Sequence, residues 1–501
     1  MKPQIKSYNP ITGELLGVVD NLDIENLDKL ITRGEKAFLQ WKNLSFQERV
    51  QYLLNFREEI ASRIDELTSF VSQETGKPRF EALTAEVLPL IQLISWAVKR
   101  APKLLKRKKI SISILKHKKS FLQYEPLGVV GVIAPWNYPL TIPLGEAIMA
   151  LAAGNCVVVK PSEVTPLIAK KVEEIFKKVG LPEGVFQVAT GDGETGAYLV
   201  RSPHIKKIFF TGSVRTGRRI ASTAAELLKP YVLELGGSDP MIVCEDADVE
   251  RAADGAVWGA YMNAGQTCAS VERVYVHHNI ADSFIDKVVQ KTKSLRVGQD
   301  KNFDADVGAV TFKKQFQVYR EQLDDALSKN AKILIGDMPR NEVFAQPTVL
   351  LGTNESMAII REETFGPYLP IEVVYNEEEA ITKANNNQYG LCASVWTKNM
   401  AKGKKLASRL EAGTVTINDC SFTHALSETP WGGVKNSGLG RVHGDHSFYE
   451  FVNVKHVNFD RGWIKPLWWY PYTKTKYNLF KKLAAFLGRK KILDKIKSLF
   501  L

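Results

Sequence analysis

The chain has few cysteines: Cys156, Cys244, Cys268, Cys392 and Cys420 are the whole complement in 501 residues. They are odd in number, widely spaced and never in a CxxC pair, which argues against both a disulfide framework and a zinc site. A reducing compartment is expected. Long apolar runs are missing too. No stretch of roughly 18 apolar residues offers itself as a membrane span, and the opening MKPQIKSYNPITGELLG lacks the apolar core of a secretion leader. The body is therefore expected to be cytoplasmic. Acidic residues run short at one end only. From Arg461 to Leu501 there are eleven Lys/Arg against the single Asp494, so +10 of the net +12 sits there and +2 is left for everything else. That distribution excludes a surface basic all over, as a nucleic-acid binder would have, and confines the charge to an appendage.

What is present fits a folded protein of two or three domains, with 45% apolar and 24% charged residues. From Leu22 to about Lys103 the pattern is helical. In SFQERVQYLLNFREEIASRIDELTSFVSQETG the pair Ser45 and Glu48 forms a capping box and Gly76 ends the run. Between Lys109 and Ile133 the residues become β-branched with partial alternation, which predicts strands, the first pair polar enough to project as an exposed ribbon. Short apolar runs (GVVGVIAP, NCVVVKP, VFQVAT, KIFFTG, YVLELGG) then alternate with amphipathic helices. A second set comes next, with VERVYVH, AKILIGD, PIEVVY, CASVWT and GTVTIN as strands. Such alternation predicts an α/β fold: two lobes, each a parallel sheet wrapped by helices, meeting near Gly236.

Three residues draw attention as chemistry. Cys268, in Asn263-Ala-Gly-Gln-Thr-Cys-Ala-Ser270, sits among small polar neighbours where the preceding helix is expected to end at Ala264 and Gly265. A lone cysteine is more often an inert core residue, and Cys156 in its strand is read that way. Glu234 ends an apolar strand, where desolvation raises a carboxylate toward the range of a general base; alone, it reads as a salt-bridged strand-end acid. Asn137, between Pro135 and Pro139, sits on a loop pinned at both ends, which aims its amide as an oxyanion donor should be aimed; alone, it reads as a turn asparagine.

Taken in order, PWNYP, KPSE, FTGSxxxG, LELGG, GQTC, EETFGP and WGGVKNSGLG resemble the aldehyde dehydrogenase superfamily from about Tyr8 to Phe459. The resemblance implies Cys268 as nucleophile, Glu234 as general base and Asn137, with the Cys268 backbone N–H, as oxyanion hole. For the cofactor it implies Trp136, Lys160, Ser162 and Glu163, then Gly212, Ser213 and Gly217 at a pyrophosphate turn, and Glu363 and Phe365 at the nicotinamide side. NAD is the implied cofactor, with NADP open because Lys160 lies beside Glu163. No metal is implied. Gly191-Asp-Gly-Glu-Thr-Gly196 matches GxGxxG, yet relatives hold the dinucleotide elsewhere, so these glycines are read as a structural turn.

In domain terms the resemblance implies a Rossmann-type cofactor lobe (1–105 and 123–235), a catalytic lobe (236–447), a small β oligomerisation ribbon (106–122 and 448–460) and the basic extension (461–501). It further implies a homodimer or homotetramer. Glu234 favours hydrolysis of a thioester over its transfer to CoA. The implied reaction is oxidation of a medium- or long-chain or otherwise bulky apolar aldehyde to its acid. The alternatives are a semialdehyde dehydrogenase for a small anionic substrate and a non-catalytic membrane-associated scaffold. Two departures stand out. Many members have a lysine nine residues after the asparagine, where this chain has Glu146. Gly145 replaces a large aromatic wall, which predicts a wider pocket.

In the extension, Leu479, Leu483, Phe486, Leu487, Leu493, Ile496 and Phe500 recur at helical spacing among lysines, behind a Trp- and Tyr-rich stretch, with an interruption at Gly488. This pattern predicts an interfacial helix on an anionic membrane surface, hence a peripheral membrane association of a cytoplasmic enzyme. The plainer reading is packing on protein. Nucleic acid is not an expected partner.

Overall fold

The structure is a computed structural model that describes residues 4–112, 115–338 and 343–490. It divides into two compact units, Met1–Leu105 with Glu125–Asn453, and Lys106–Tyr124 with Val454–Leu501.

The larger unit holds two parallel sheets. The first runs Gly438–Leu439, Tyr231–Glu234, Ile205–Thr211, Val129–Ile133, Cys156–Lys160 and Phe186–Val188, parallel throughout except for the antiparallel Gly438–Leu439. The second has seven strands with Val271–His277 at its centre, flanked by Tyr368–Val374 and Asp239–Val243; only Lys332–Ile335, at one edge, is antiparallel. Val129–Ile133, Cys156–Lys160, Asp239–Val243 and Cys392–Trp396 are buried at every residue. Burial on both faces is why these strands read as unbroken apolar runs rather than alternating ones. The helix Thr141–Ala153 is likewise buried at every position.

The N-terminal helical run is built from Ile24–Trp41, Phe46–Ser62 and Ile64–Thr75. Its capping box is present: Glu48 N–H donates to Ser45 Oγ at 3.3 Å and Ser45 N–H to Glu48 Oε2 at 2.7 Å. Gly76, at φ +79°, closes the last helix with its N–H on the Ser72 carbonyl at 2.8 Å. The run expected to be continuous breaks at Arg63, whose φ of −122° leaves the helical region. An antiparallel pair, Gln4–Tyr8 with Leu15–Asp20, precedes the helices and carries no clear signal in the sequence. The helical stretch Arg79–Leu104 is long and apolar enough to cross a membrane, and half of its most apolar window is buried in the body, as a core helix is.

The smaller unit contains a three-stranded sheet ordered Val452–Phe459, Lys119–Pro126, Lys108–Ile110, and a helix, Lys474–Gly488. The ribbon expected near residue 110 is the antiparallel pair of Lys108–Ile110 with Lys119–Pro126. The helix ends at Gly488, where the sequence placed an interruption; Leu493, Ile496 and Phe500 lie outside the described residues.

In the larger unit Phe56, fully buried, stacks on Phe176 at 3.8 Å, and Phe176 in turn meets Phe186 at 4.6 Å. Phe56→Ala is expected to cost about 3–5 kcal/mol, read as a lowered urea midpoint. A loss below about 1 kcal/mol would show that the neighbours collapse into the space.

Candidate active site

The loop that carries Cys268 is aimed by an unusual piece of backbone. After the helix Val249–Tyr261, Asn263, Ala264 and Gly265 take φ of +52°, +54° and +71° in succession. Left-handed alanine is costly, and the turn is held by the side chain of the next residue, Gln266. Fully buried, Gln266 donates through Nε2 to the carbonyls of Asn263 (2.8 Å) and Ala309 (3.2 Å), and accepts from the Thr311 N–H at 2.8 Å. A side chain at Gly265 would collide with the Gly366 carbonyl. Of the five cysteines Cys268 alone is not fully buried.

Asn137 reaches the same loop. Its Nδ2 donates to the Gln266 carbonyl at 3.0 Å, and Tyr138 and Thr267 join hydroxyls at 2.7 Å. The Asn137 loop is itself clamped by a pair that the sequence did not reveal. Lys77 Nζ donates to the Asn137 carbonyl at 2.7 Å and to Glu86 Oε1 at 2.9 Å, while Glu86 Oε2 accepts the N–H groups of Leu140 (2.9 Å) and Thr141 (3.0 Å). Both charged side chains are fully buried. Glu86 lies in a π-helical turn, Leu83–Val87; such a turn shifts the helical register.

Glu234 is the last residue of its strand, registered with Thr211 on one side and with Gly438 on the other. Its side chain is buried and neither carboxylate oxygen has a hydrogen bond. Burial raises its pKa well above the carboxylate range, the Glu146 carboxylate adds to that, and Arg441 opposes it. The Gly236-Gly237 turn just after it passes directly beneath Cys268. A side chain at 237 would run into the Cys268 carbonyl, and one at 236 into the Glu363 carboxylate. Around Cys268 burial pushes the thiol's pKa up, and Glu363, Asp239 and Glu234 push it the same way. The thiol therefore rests protonated.

Glu363 accepts the Gly237 N–H at 3.1 Å. Phe365, at φ +53°, meets Trp136 edge-on at 5.4 Å. Buried Glu272, a second residue that no sequence motif singles out, holds this loop through the N–H groups of Thr364 (3.1 Å) and Phe365 (2.8 Å).

A cavity of about 570 Å³ opens between Trp136, Lys160, Ser162, Glu163, Gly212 and Ser213. The helix Val214–Glu226 begins in its wall, capped by Ser213, whose Oγ accepts the Thr216 N–H at 3.3 Å. Lys160, buried, pairs with the half-exposed Glu163 at 3.1 Å. A helix N-terminus for an anion, next to a lysine and a carboxylate for hydroxyls, fits a dinucleotide. Gly217 is not in the wall: a side chain there would meet Leu235 Cδ2 at 2.5 Å, so this glycine lets helix and strand close up. Gly193 and Gly196 of the GxGxxG turn do border the cavity. Among the described residues no group of three or more His, Cys, Asp or Glu is placed to hold a metal ion.

A profile of the Aldehyde dehydrogenase family matches residues 1–457. The chain belongs to the aldehyde dehydrogenase family. It is 36% identical over 487 residues to a 4,4'-diapolycopene aldehyde oxidase of Methylomonas sp, covering 96% of this chain and 91% of that protein. The NAD+ complex of an aldehyde dehydrogenase from Bacillus cereus superposes with a TM-score of 0.88 at 33% identity, over 92% of this chain and 94% of that one. An NADP-dependent enzyme of E. coli gives 0.88 at 31%, over 91% and 95%.

Within this aldehyde dehydrogenase, the space opposite Gly145 is not the open one the sequence suggested. A side chain there would start 3.3 Å from His443 Nε2 and 3.8 Å from Leu93 Cδ2. His443 fills the place, packed against His424 at 4.8 Å, and His424 packs edge-on against Trp431. Burial lowers the pKa of His443 to about 3 and that of His424 to about 4, so both rings are neutral. Glu146, the next residue, is buried with Oε2 unpartnered, its pKa raised by burial to about 8.

Glu146, with its pKa raised to about 8, carries its charge only above that pH, so Glu146→Gln is expected to move the part of the kcat profile that rises above about pH 8 toward lower pH, by removing the charge that raises Glu234. A profile that stays in place would show the two carboxyls to be independent. Lys77→Ala strands a buried Glu86 and is expected to cost about 3–5 kcal/mol of stability. It should also lower kcat through the Asn137 loop; an unchanged melting temperature would contradict the clamp.

Proposed function

We propose that the enzyme oxidises apolar aldehydes to carboxylic acids with NAD+, or NADP+, and releases the acid by hydrolysis. The observation that carries this reading is the convergence of Cys268, Asn137 and the unpartnered Glu234 on one turn, beside a cavity fit for a dinucleotide. The Cys268 thiol releases its proton to solvent, Sγ adds to the aldehyde carbon as the carbonyl π bond breaks, and the resulting thiohemiacetal oxyanion is held by Asn137 Nδ2 with the Cys268 N–H. Bound NAD(P)+ supplies the hydride acceptor that converts the thiohemiacetal to a thioester, and a positive ring that favours the thiolate. Glu234, once its own proton has left to solvent, takes a proton from water, whose oxygen attacks the thioester carbonyl. The carboxylic acid leaves and Cys268 is restored. Glu363 and Phe365 hold the nicotinamide side; Trp136, Lys160, Ser162, Glu163, Gly212 and Ser213 hold the adenosine and pyrophosphate. Gly217 acts through packing.

The apolar substrate class rests on the kinship with an enzyme named for a polyene aldehyde. Homo-oligomerisation, as a dimer or tetramer, fits the strand Val452–Phe459. Among the described residues it pairs on one edge only, and an open edge is a template for a second chain.

Cys268→Ala is expected to abolish turnover. Glu234→Gln should form one equivalent of NADH per site and then stall as the thioester; steady turnover by either variant would refute the assigned roles. Across a series of saturated aldehydes, kcat/KM should rise with chain length and exceed that for succinic semialdehyde by tenfold or more, about 1.4 kcal/mol. The reverse order would assign the enzyme to anionic substrates.

A further inference from the structure

The C-terminal segment takes no part in the chemistry above, and its surface is built unlike that of a soluble domain. From Arg461 to Lys490 there are eight Lys/Arg and not one acid. Within the same thirty residues Trp463, Tyr470, Tyr472 and Tyr477 are 78%, 74%, 73% and 68% exposed, and Ile464, Leu467 and Trp469 are more than half exposed. The helix Lys474–Gly488 has no buried residue. It is well formed nonetheless: Thr473 caps it by accepting the Lys476 N–H, and Lys476 Nζ ties back to the carbonyls of Trp469 (2.8 Å) and Pro471 (2.9 Å), which fixes the aromatic stretch against the first helical turn.

One stripe of this helix, Phe480, Leu483, Ala484 and Leu487, keeps the i, i+3, i+4, i+7 spacing of a single face. With Ile112, Leu115 and Trp468 it lines an open groove of about 460 Å³ in which every lining residue is apolar. Apolar surface of this kind on a soluble protein marks an interaction site. Lys474, Lys481, Arg489 and Lys490 stand exposed around it.

We infer that this groove and its aromatic surround dock on an anionic lipid bilayer, with Trp and Tyr rings at headgroup depth and the lysines on lipid phosphates. Charge selects the occupant. A second copy of the same face would set eight cations against eight, whereas an anionic bilayer complements both the charge and the apolar groove. Exposed tryptophans with tyrosines are the side chains that settle at a membrane interface, having an apolar body and a polar tip. The helix, at fifteen residues, is too short to span a bilayer, which takes about 20, so it lies in the surface. The docking goes beyond the reaction proposed above and does not depend on it.

The test uses the full-length enzyme with vesicles of phosphatidylcholine alone and of phosphatidylcholine with about a third phosphatidylglycerol, separated by flotation. Binding is expected only to the anionic vesicles, falling at least tenfold when salt is raised from 0.1 to about 0.5 M. Trp463→Ala/Trp469→Ala and Lys474→Glu/Lys481→Glu are each expected to weaken it about tenfold, with turnover of a water-soluble aldehyde unchanged. Equal binding to both vesicle types, or none to either, would overturn the inference. So would a changed subunit count in either variant by sedimentation velocity, which would assign the face to a second copy, or retention on duplex DNA without vesicle binding. Because flotation needs no turnover, a wrong substrate class leaves this result untouched, and a failed docking leaves the chemistry untouched.

Discussion

The site depends on one buried ion pair. Lys77 and Glu86 lie nine residues apart, wholly out of water, and between them they hold the carbonyl of Asn137 and the N–H groups of Leu140 and Thr141. An isolated buried charge costs several kcal/mol, so each needs the other and the loop's polar backbone to be present. The result is a loop with little freedom. Its asparagine side chain is presented to the Gln266 carbonyl two residues before Cys268, and Gln266 in turn holds three left-handed residues. Catalytic geometry here is secured by donors and acceptors that never touch a substrate.

Much of this was legible in the sequence because the signals were local. The parallel sheets are announced by strands that are apolar on both faces, and the thiol, carboxylate and amide stood in motifs whose neighbours are glycine and proline for steric reasons now visible, such as Gly236 and Gly237 beneath Cys268. Lys77, Glu86, Gln266 and Glu272 were not legible as positioning residues. Apart from the near pairs Lys77–Glu86 and Gln266–Asn263, the groups they hold lie 43 to 93 residues away, and no periodicity announces such a pairing. Glu86 was further concealed by its π-helical turn, which no propensity predicts. Gly145 was misread for a similar reason: its neighbour His443 is remote in sequence, so an absent side chain looked like an empty place.

Hydrogen bonding separates Glu234 from the carboxylates of the scaffold. Glu74, Glu86 and Glu272 are buried and Glu81 partly so, and each accepts at least one backbone N–H. Glu234 accepts none on either oxygen. Burial without a partner makes Glu234 hold a proton more tightly than a free carboxyl does, and leaves both of its oxygens uncommitted to any structural hydrogen bond.

Glu234 also combines two mechanical properties seldom found together. Its backbone is pinned by ladders on both sides, one to Thr211 at the cavity wall and one to Gly438 returning from the far end of the chain. Its side chain, past the α-carbon, is bound to nothing. The residue is a fixed pivot with a free arm. Turning it about its own bonds breaks no hydrogen bond and leaves the main chain, and with it the cavity wall, where it is.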